Sequence, residues 1–246
     1  MKKIIRGENI TTSYGERVMH DNVSWSVNEA EIYGFLGGSG SGKTTLMKTK
    51  IYLKKPDEGD IYFDDKNMWK SDLAEQKEIK LSSGTMFQFG ALYSSMNILD
   101  NVGVLLSEYS KFSKRQIDEI AMFWIQKVGL KKESASLYPS ELSGGMKKRA
   151  ALARALVLSP KVLFLDEPNS GLDPVSSRQM DALVRDLRDS LGLTVVMVTH
   201  DADSIFDILD RFLIIENKKI AFEGTLKELE DAGHNPLEEL FKMRKK

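Results

Sequence analysis

The spacing of apolar residues changes character along the chain. Short apolar and alternating runs come first and predict strands, with turns at Tyr14-Gly15 and Asn28-Glu29. The predicted strands are Lys3–Thr12, Val23–Val27, Glu31–Leu36 and, after a helix, Ile61–Phe63. A glycine-rich loop, Gly37–Gly42, follows the third strand, and the next residues predict a helix from Lys43 to about Leu53, before Pro56.

The middle of the chain, from about Ile98 to Leu158, is predicted to be helical. Apolar residues recur there at near-helical spacing, at Leu105, Tyr109, Phe112, Ile117, Ile120, Phe123, Trp124 and Val128. After Pro160 the apolar runs Val162–Leu165 and Thr194–Val198 are typical of strands buried on both faces. Strands that alternate with helices predict an α/β fold with a parallel sheet, into which the helical block is inserted.

Composition narrows the class of protein. The 246 residues include 35 lysines and arginines against 36 aspartates and glutamates, so bulk charge does not favour nucleic acid as a partner. The absence of cysteine excludes a disulfide scaffold, a cysteine-ligated zinc site and a cysteine nucleophile. No segment approaches the ~20 apolar residues of a membrane span, so we expect a cytosolic chain whose membrane role comes through a partner. The basic tail Phe241–Lys246 is predicted to be a solvated end.

The glycine loop carries the strongest chemical signal. Residues Gly37–Thr44 fit the pattern G-x-x-x-x-G-K-[ST]. Glycines let backbone N–H groups wrap a phosphate, and the helix that begins at Lys43 points its positive dipole end at the same anion. Lys43 is predicted to reach the β- and γ-phosphates, and Thr44 to bind Mg²⁺. The alternative is a flexible glycine turn, but the strand before it and the helix after it favour a phosphate site.

Two carboxylates end a later strand. Asp166 and Glu167 follow the apolar run that begins at Val162, and ligands of parallel sheets bind at the carboxyl ends of strands. Asp166 is predicted to hold Mg²⁺, and Glu167 to orient and deprotonate an attacking water. The alternative is an ordinary strand end whose two acidic side chains are only solvated. The presence of a phosphate-binding glycine loop in the same chain favours the metal and base roles over this alternative.

Further motifs follow in an order that resembles the ATP-binding cassette (ABC) ATPases. The segment Leu142–Met146 is similar to the signature sequence of that family, and it lies between the glycine loop and Asp166. The other matching residues are Tyr14 for the aromatic that stacks on adenine, Gln88 for the Q-loop glutamine, Asp173 for the D-loop and His200 for the switch histidine. Considered alone, Gln88 is consistent with an ordinary amide in a surface loop. His200 alone is consistent with a histidine at a strand end whose hydrogen bonds are made within the protein.

The resemblance implies a fold and two cofactors. The fold is a P-loop NTPase (RecA-like) core with an N-terminal antiparallel β subdomain and an α-helical subdomain inserted at about residues 90–158, within one nucleotide-binding domain over residues 1–246. ATP and Mg²⁺ are the implied cofactors. The residues expected to contact the nucleotide are Tyr14, Gly37, Gly38, Ser39, Gly40, Ser41, Gly42, Lys43, Thr44, Thr45, Gln88, Ser143, Gly144, Gly145 and Asp173. The expected metal ligands are Thr44, Gln88 and Asp166.

The resemblance also implies how the residues act. Lys43, Glu167 and His200 are the expected catalytic residues, with Glu167 as the general base and His200 at the γ-phosphate. Ser143 is a good N-cap for a helix through Leu158, so this helix tip is either a second anion cradle or a plain capped surface helix. With one glycine loop and one signature in the chain, the family arrangement is a head-to-tail dimer of two copies with two ATP molecules at the seam.

A narrower resemblance concerns cargo. The run after the signature, Gly144–Ala155, and the Q-loop continuation, Phe89–Val102, resemble the ATPase of Mla-type phospholipid transporters, which act with a permease and MCE lipid-binding proteins. Such an ATPase lies on the cytoplasmic face of the inner membrane. The apolar residues Phe89, Leu92, Tyr93 and Met96 fit either a groove for a permease helix or core packing.

Three other functions stay open at this point. They are the ATPase of another ABC system (small-solute import, lipoprotein release or cell division), a soluble ATPase acting on nucleic acid or ribosomes, and a module that binds without hydrolysis. Several positions depart from the family pattern: Gly38 stands where proline is common, Thr49 and Lys50 where apolar residues are usual, and Asn169 where an aromatic or threonine is common.

Overall fold

A computed structural model of the chain describes residues 2–232, in which two β-sheets organise the fold. In chain order the strands are β1 (Lys3–Tyr14), β2 (Arg17–Asn28), β3 (Ile32–Gly37), β4 (Glu58–Phe63), β5 (Lys66–Asn67), β6 (Ser83–Met86), β7 (Val162–Asp166), β8 (Thr194–Val198), β9 (Arg211–Glu216) and β10 (Lys219–Gly224). The basic tail at Phe241–Lys246 lies outside the described residues.

Eight α-helices accompany the strands within residues 2–232. They are α1 (Lys43–Lys50), α2 (Leu73–Leu81), α3 (Ile98–Tyr109), α4 (Lys114–Lys127), α5 (Gly144–Leu156), α6 (Pro174–Leu191), α7 (Ala202–Asp207) and α8 (Leu226–Asp231). None of these helices has the length and apolar content that a membrane span requires.

The larger sheet has the order β10-β9-β3-β8-β7-β6, and its strands from β9 to β6 are parallel. The smaller sheet is antiparallel, in the order β2-β1-β4-β5. The predicted parallel sheet is therefore present. Strands β6, β9 and β10 extend it beyond the predicted strands. Periodicity is weak in β6 and β10, whereas β9 carries an apolar run that was not used.

Strand β7 shows why the parallel sheet is stable. Its five residues are all buried. Leu163 and Leu165 join a core with helices α3 to α6, whereas Val162 and Phe164 join a second core with α1 and the antiparallel sheet. Successive side chains of a strand point to opposite faces, so a continuous apolar run is what a sheet covered on both sides requires.

The helical block is an insertion between two neighbouring strands. Strands β6 and β7 pair in parallel register from Ser83–Val162 to Met86–Leu165, yet α3, α4 and α5 all lie between them in the chain. Asn97 and Ser113 cap α3 and α4 through their side chains. The block packs on one face of the sheet as part of the same apolar core.

Helix α1 is shorter than predicted. It ends at Lys50, and Tyr52 adopts a left-handed φ of 60°. The N–H groups of Leu53 and Lys54 donate to the carbonyl oxygen of Lys48 at 3.0 and 3.2 Å, which satisfies the end of the helix. The prediction of a helix to Leu53 is wrong by three residues, because the spacing of apolar residues does not show where backbone hydrogen bonds end a helix.

The two polar positions of α1 are buried and satisfied locally. Thr49 Oγ1 and Lys50 Nζ donate to the carbonyl oxygen of Leu46 at 2.7 and 2.8 Å. The Lys50 ammonium lies 3.7 Å from the centre of the Trp25 ring and 4.5 Å from that of Phe35. Burial lowers the pKa of Lys50 well below its ordinary value of 10.5, because the buried ammonium loses its hydration.

We expect Lys50→Met to stabilise the fold. Methionine fills a similar volume without a charge to desolvate, so the free energy of unfolding rises by about 1–3 kcal/mol at neutral pH. Because the folded pKa of Lys50 is depressed, the unfolded chain binds more protons between that lowered pKa and 10.5, and the parent gains stability as the pH rises through this window. The advantage of the variant should shrink over the same range.

Urea denaturation followed by circular dichroism at several pH values tests this expectation. Lys48→Met, on the same helix but only half-buried, is the matched control and should show little change. A Lys50→Met variant that is less stable than the parent, by the same amount at every pH, would instead make the aromatic contacts of Lys50 the dominant effect.

Candidate functional site

The glycine loop, Gly37–Gly42, connects β3 to α1 through a backbone that only glycine adopts easily. Gly42 has φ of 105°, and a methyl group on it would come within 2.6 Å of His20 Nε2. Helix α1 begins at Lys43, and no side chain of the described residues caps it. Its first N–H groups are therefore available to an anion.

A cavity of about 1000 Å³ is lined by this loop and by the ends of neighbouring strands. Every residue from Gly37 to Thr45 contributes to its wall. Among the other predicted residues, Gln88, Glu167 and His200 also line it. The parallel sheet explains this convergence, because β3, β6, β7 and β8 all end on the same side.

Lys43 lies inside the cavity wall and is satisfied by its own loop. Its Nζ donates to the carbonyl oxygens of Gly37 at 2.8 Å and Gly38 at 2.9 Å. Burial lowers the pKa of Lys43, while the charges of Glu167 and Asp166 act in the opposite direction. A partly desolvated ammonium that holds only neutral acceptors is suited to an anionic ligand.

Two side chains with oxygen atoms that can bind a metal meet at the end of β7. Thr44 Oγ1 donates to Asp166 Oδ1 at 3.1 Å, which joins the start of α1 to the strand. Burial raises the pKa of Asp166, so a cation beside it would favour the charged carboxylate. A hydroxyl and a carboxylate are ligands that Mg²⁺ accepts, and the described residues hold no cluster of three or more acidic, histidine or cysteine ligands. The donor set fits a magnesium ion that completes its shell with phosphate and water.

Glu167 and His200 form a close pair. His200 Nδ1 lies 2.7 Å from Glu167 Oε2, with the imidazole largely exposed and the carboxylate largely covered. Glu167 has a left-handed φ of 51°, and its N–H donates to the carbonyl oxygen of Val198 at 2.9 Å. A non-glycine residue at such a φ is strained, and strain of this kind is typical of functional sites.

Gln88 lies just beyond the end of β6. Its Nε2 donates to Ser170 Oγ at 3.2 Å, which connects the Q-loop to the segment that follows Glu167. Asn169 donates through Nδ2 to Asp181 and Ser204, so its departure from the family pattern serves a buried polar cluster. Both contacts fix the chain around Glu167.

The remaining predicted residues lie outside this cavity. Ser143 caps α5 by accepting from the N–H of Met146 at 3.3 Å, and a methyl group on Gly144 would meet no described atom within 4 Å. Asp173 similarly caps α6. Gly145, next to Gly144, opens the same helix α5. The single chain therefore presents the α5 tip to the outside rather than to its own cavity.

Tyr14 also lies outside the cavity. Its side chain is exposed at the end of β1, and the ammonium of Lys54 lies 5.3 Å from the centre of its ring. Its strand partner Arg17 approaches the glycine loop, with a guanidinium nitrogen 3.9 Å from a methyl group placed on Gly40, so Tyr14 lies near the loop without lining the cavity.

Sequence reasoning missed part of the cavity wall and one buried lysine. The additional wall residues are Met19, Leu36, Thr199, Ile205, Ile214, Ile215, Glu216 and Asn217. The apolar run of β9 was a usable signal for two of them. Lys148 is buried on α5, where it follows the spacing of the buried residues Ala151 and Ala155, and a lysine on an apolar stripe is a signal in itself.

A family model described as "ABC transporter" matches residues 20–170, more than half of the chain. This chain belongs to the ABC transporter family. It is an ATP-binding and ATP-hydrolysing subunit of that family, as predicted. The P-loop NTPase fold class, with its antiparallel sheet and helical insertion, is likewise confirmed.

Individual relatives cover almost the whole chain. The intermembrane phospholipid transport system ATP-binding protein MlaF of Haemophilus influenzae is 37% identical over 228 residues, which cover 93% of this chain and 86% of that protein. The methionine import ATP-binding protein MetN of Clostridium tetani is 37% identical and covers 88% of this chain and 67% of that protein. The dimeric ATP-binding cassette MJ0796, in a post-hydrolysis state bound to ADP and Pi, is similar in structure with a TM-score of 0.82 and 29% identity, covering 90% of this chain and 98% of that one.

We expect Lys43→Ala to weaken ATP binding. Loss of a charge-assisted hydrogen bond reduces the affinity roughly 10- to 100-fold. Isothermal titration calorimetry measures the effect. Lys66→Ala, which removes only an exposed ion pair with Glu78, is the control and should bind like the parent. Equal affinities of the Lys43 variant and the control would reject a phosphate-binding role for Lys43.

Proposed function

We propose that residues 1–246 form one nucleotide-binding domain of a membrane transporter, with a helical subdomain at about residues 90–158. The insertion of α3, α4 and α5 between the paired strands β6 and β7 supports this division. The observation that carries the proposal is the meeting of the glycine loop, Glu167 and His200 around one cavity.

The proposed reaction is hydrolysis of the γ-phosphate of ATP. Residues Gly37–Thr45, which include the glycine loop and Lys43, hold the phosphates. Glu167 takes a proton from water, the water oxygen attacks the γ-phosphorus, and the bond to the β-phosphate oxygen breaks to give ADP and phosphate. His200, 2.7 Å from Glu167, holds the base and the γ-phosphate in place.

The residues of the proposed magnesium site are Thr44, Asp166 and Gln88. The contact between Thr44 and Asp166 supports this assignment, and all three residues line one cavity beside the glycine loop. Bound magnesium would neutralise charge on the β- and γ-phosphates. The residues themselves tie α1, β7 and the Q-loop to the phosphates.

Hydrolysis is proposed to occur in a head-to-tail dimer of two copies. Ser143, Gly144 and Gly145 form a helix tip that does not line the cavity of its own chain, and Ser143 and Gly144 are exposed, so a second copy is the natural source of the nucleotide it meets. Asp173 is proposed to act across the same seam, and Tyr14 to stack on adenine. The dimeric state of MJ0796 supports this arrangement.

The proposed cargo is phospholipid, moved with a permease and an MCE-type protein. The support is the name of the MlaF relative, and the ATPase would then lie on the cytoplasmic face of the inner membrane, without direct contact with nucleic acid. Phe89 and Tyr93 are exposed just after the Q-loop glutamine, and they offer apolar side chains to a permease helix. The similarity to MetN favours import of a small solute as the second candidate.

We expect ATP-dependent lipid movement in a reconstituted complex. The chain, its co-purifying permease and the associated binding protein are placed in vesicles with fluorescent phospholipid, and exchange to acceptor vesicles is followed. Lipid movement that requires ATP supports the phospholipid assignment. Uptake of methionine without lipid movement would favour the second candidate instead.

We expect Glu167→Gln to keep ATP binding and to lose turnover. The amide cannot accept the proton of water, so turnover falls on the order of 100-fold or more. Size-exclusion chromatography should show an ATP-dependent dimer that persists, since hydrolysis no longer separates the copies. Glu78→Gln, at an exposed ion pair, is the matched control. Parent-like turnover in the Glu167 variant would reject Glu167 as the base.

A further inference from the structure

Lys148 bonds to two of the segments proposed for catalysis, although it is not among the predicted site residues. It sits one turn into α5, the helix whose tip is Ser143, and only 7% of its surface is exposed. Exposed lysines on helices serve solubility, but a buried lysine is expensive unless it has specific partners. The neighbouring Lys147 is only half-buried, so the burial of Lys148 is a property of its position.

The partners of Lys148 are two backbone carbonyls from different loops. Its Nζ donates to the carbonyl oxygen of Gln88 at 2.5 Å and to that of Glu167 at 2.9 Å. Burial lowers the pKa of Lys148, while the charges of Glu167 and Asp166 oppose that shift. One ammonium thus joins the Q-loop, the end of β7 and the signature helix.

The Glu167 peptide is the one that most needs such support. Its left-handed φ of 51° is unfavourable for a side chain with a Cβ, so surrounding contacts must maintain it. The Glu167 carbonyl oxygen also accepts from the N–H of Ser170 at 3.1 Å, and Ser170 Oγ in turn accepts from the Gln88 side chain. The contacts of Lys148, Ser170 and Gln88 therefore close a ring around the strained peptide.

A second basic residue of α5 reinforces the same loop. Arg154 donates through Nη1 to the carbonyl oxygen of Ala91 and through Nη2 to that of Gly90, both at 2.7 Å. The residues after Gln88 are thus held to α5 at two points separated by almost two turns. A displacement of α5 must then move the Q-loop with it, whereas only Lys148 extends the connection to Glu167.

We propose that Lys148 is a positioning residue that fixes the Gln88 and Glu167 peptides to the signature helix. When the tip of α5 engages a nucleotide, this contact places the Glu167 carboxylate and the Gln88 carboxamide at the same moment. The inference rests on the roles proposed above for Gln88 and Glu167. It assigns to Lys148 an effect on turnover, not on nucleotide affinity, because its ammonium bonds to the protein backbone.

Two substitutions separate the contacts from the volume of the side chain. Lys148→Met keeps the aliphatic length and removes both hydrogen bonds, whereas Lys148→Arg keeps a charged donor. Lys114→Met is the matched control, because Lys114 is an exposed residue of α4 that pairs with Asp100 and Asp118. All variants are made in the full-length chain, and their thermal unfolding is recorded first.

The expected result is a split between turnover and binding. Lys148→Met should lower kcat of ATP hydrolysis about 10- to 100-fold while KM for ATP changes less than about threefold, because misplaced catalytic groups cost rate more than affinity. Lys148→Arg should recover most of the rate, and Lys114→Met should match the parent. Hydrogen–deuterium exchange should increase in the segments around Gln88 and Glu167 in the Lys148→Met variant alone.

Distinct outcomes would overturn this proposal and the proposed function. Parent-like kcat and unchanged exchange in Lys148→Met, with Glu167→Gln inactive, reject the role of Lys148 and leave the base assignment intact. A Lys148→Arg variant as defective as Lys148→Met, with lowered thermal stability and faster exchange throughout α5, shows general destabilisation and also rejects it. Normal turnover in Glu167→Gln rejects the proposed base itself.

Discussion

The parallel pairing of β3, β8, β7 and β6 is the constraint on which the rest of the structure depends. Because these strands run in the same direction, their carboxyl ends meet at one edge of the sheet. The glycine loop and Glu167 follow the ends of β3 and β7 directly, and Gln88 and His200 lie two residues beyond the ends of β6 and β8. Residues that are distant in the chain are thus brought to one cavity by the pairing of these strands.

Buried lysines show how the same side chain serves different purposes around that edge. Lys43 and Lys148 each hold two backbone carbonyls, and both lie within the field of Glu167 and Asp166. Lys50 has one carbonyl and two aromatic rings, with no carboxylate among the causes that shift its pKa. Nearby acids therefore oppose the effect of burial on the charged lysines of the site, whereas no carboxylate does so at Lys50.

Much of the fold and of the site could be predicted from residues alone. Apolar runs identified β3, β7 and β8 because a strand covered on both faces leaves little choice of residue. The helix end at Lys50 and the strands β6 and β10 were not predicted. They depend on backbone hydrogen bonds at the helix end and between strands, which hydrophobic periodicity does not reveal. Motifs indicated Lys43, Glu167 and His200, but the contacts of Lys148 and Asn169 arise only when distant loops pack together.

The helical insertion between β6 and β7 affects how the protein folds. These strands are hydrogen-bonded neighbours, yet α3, α4 and α5 must be accommodated before the ladder can close. Contacts between residues so far apart in sequence carry a large loop-closure entropy and slow the folding rate, whereas the capped helices form through local contacts. Assembly of the carboxyl edge, and with it the competence to engage a nucleotide, is therefore expected to be a late event in folding.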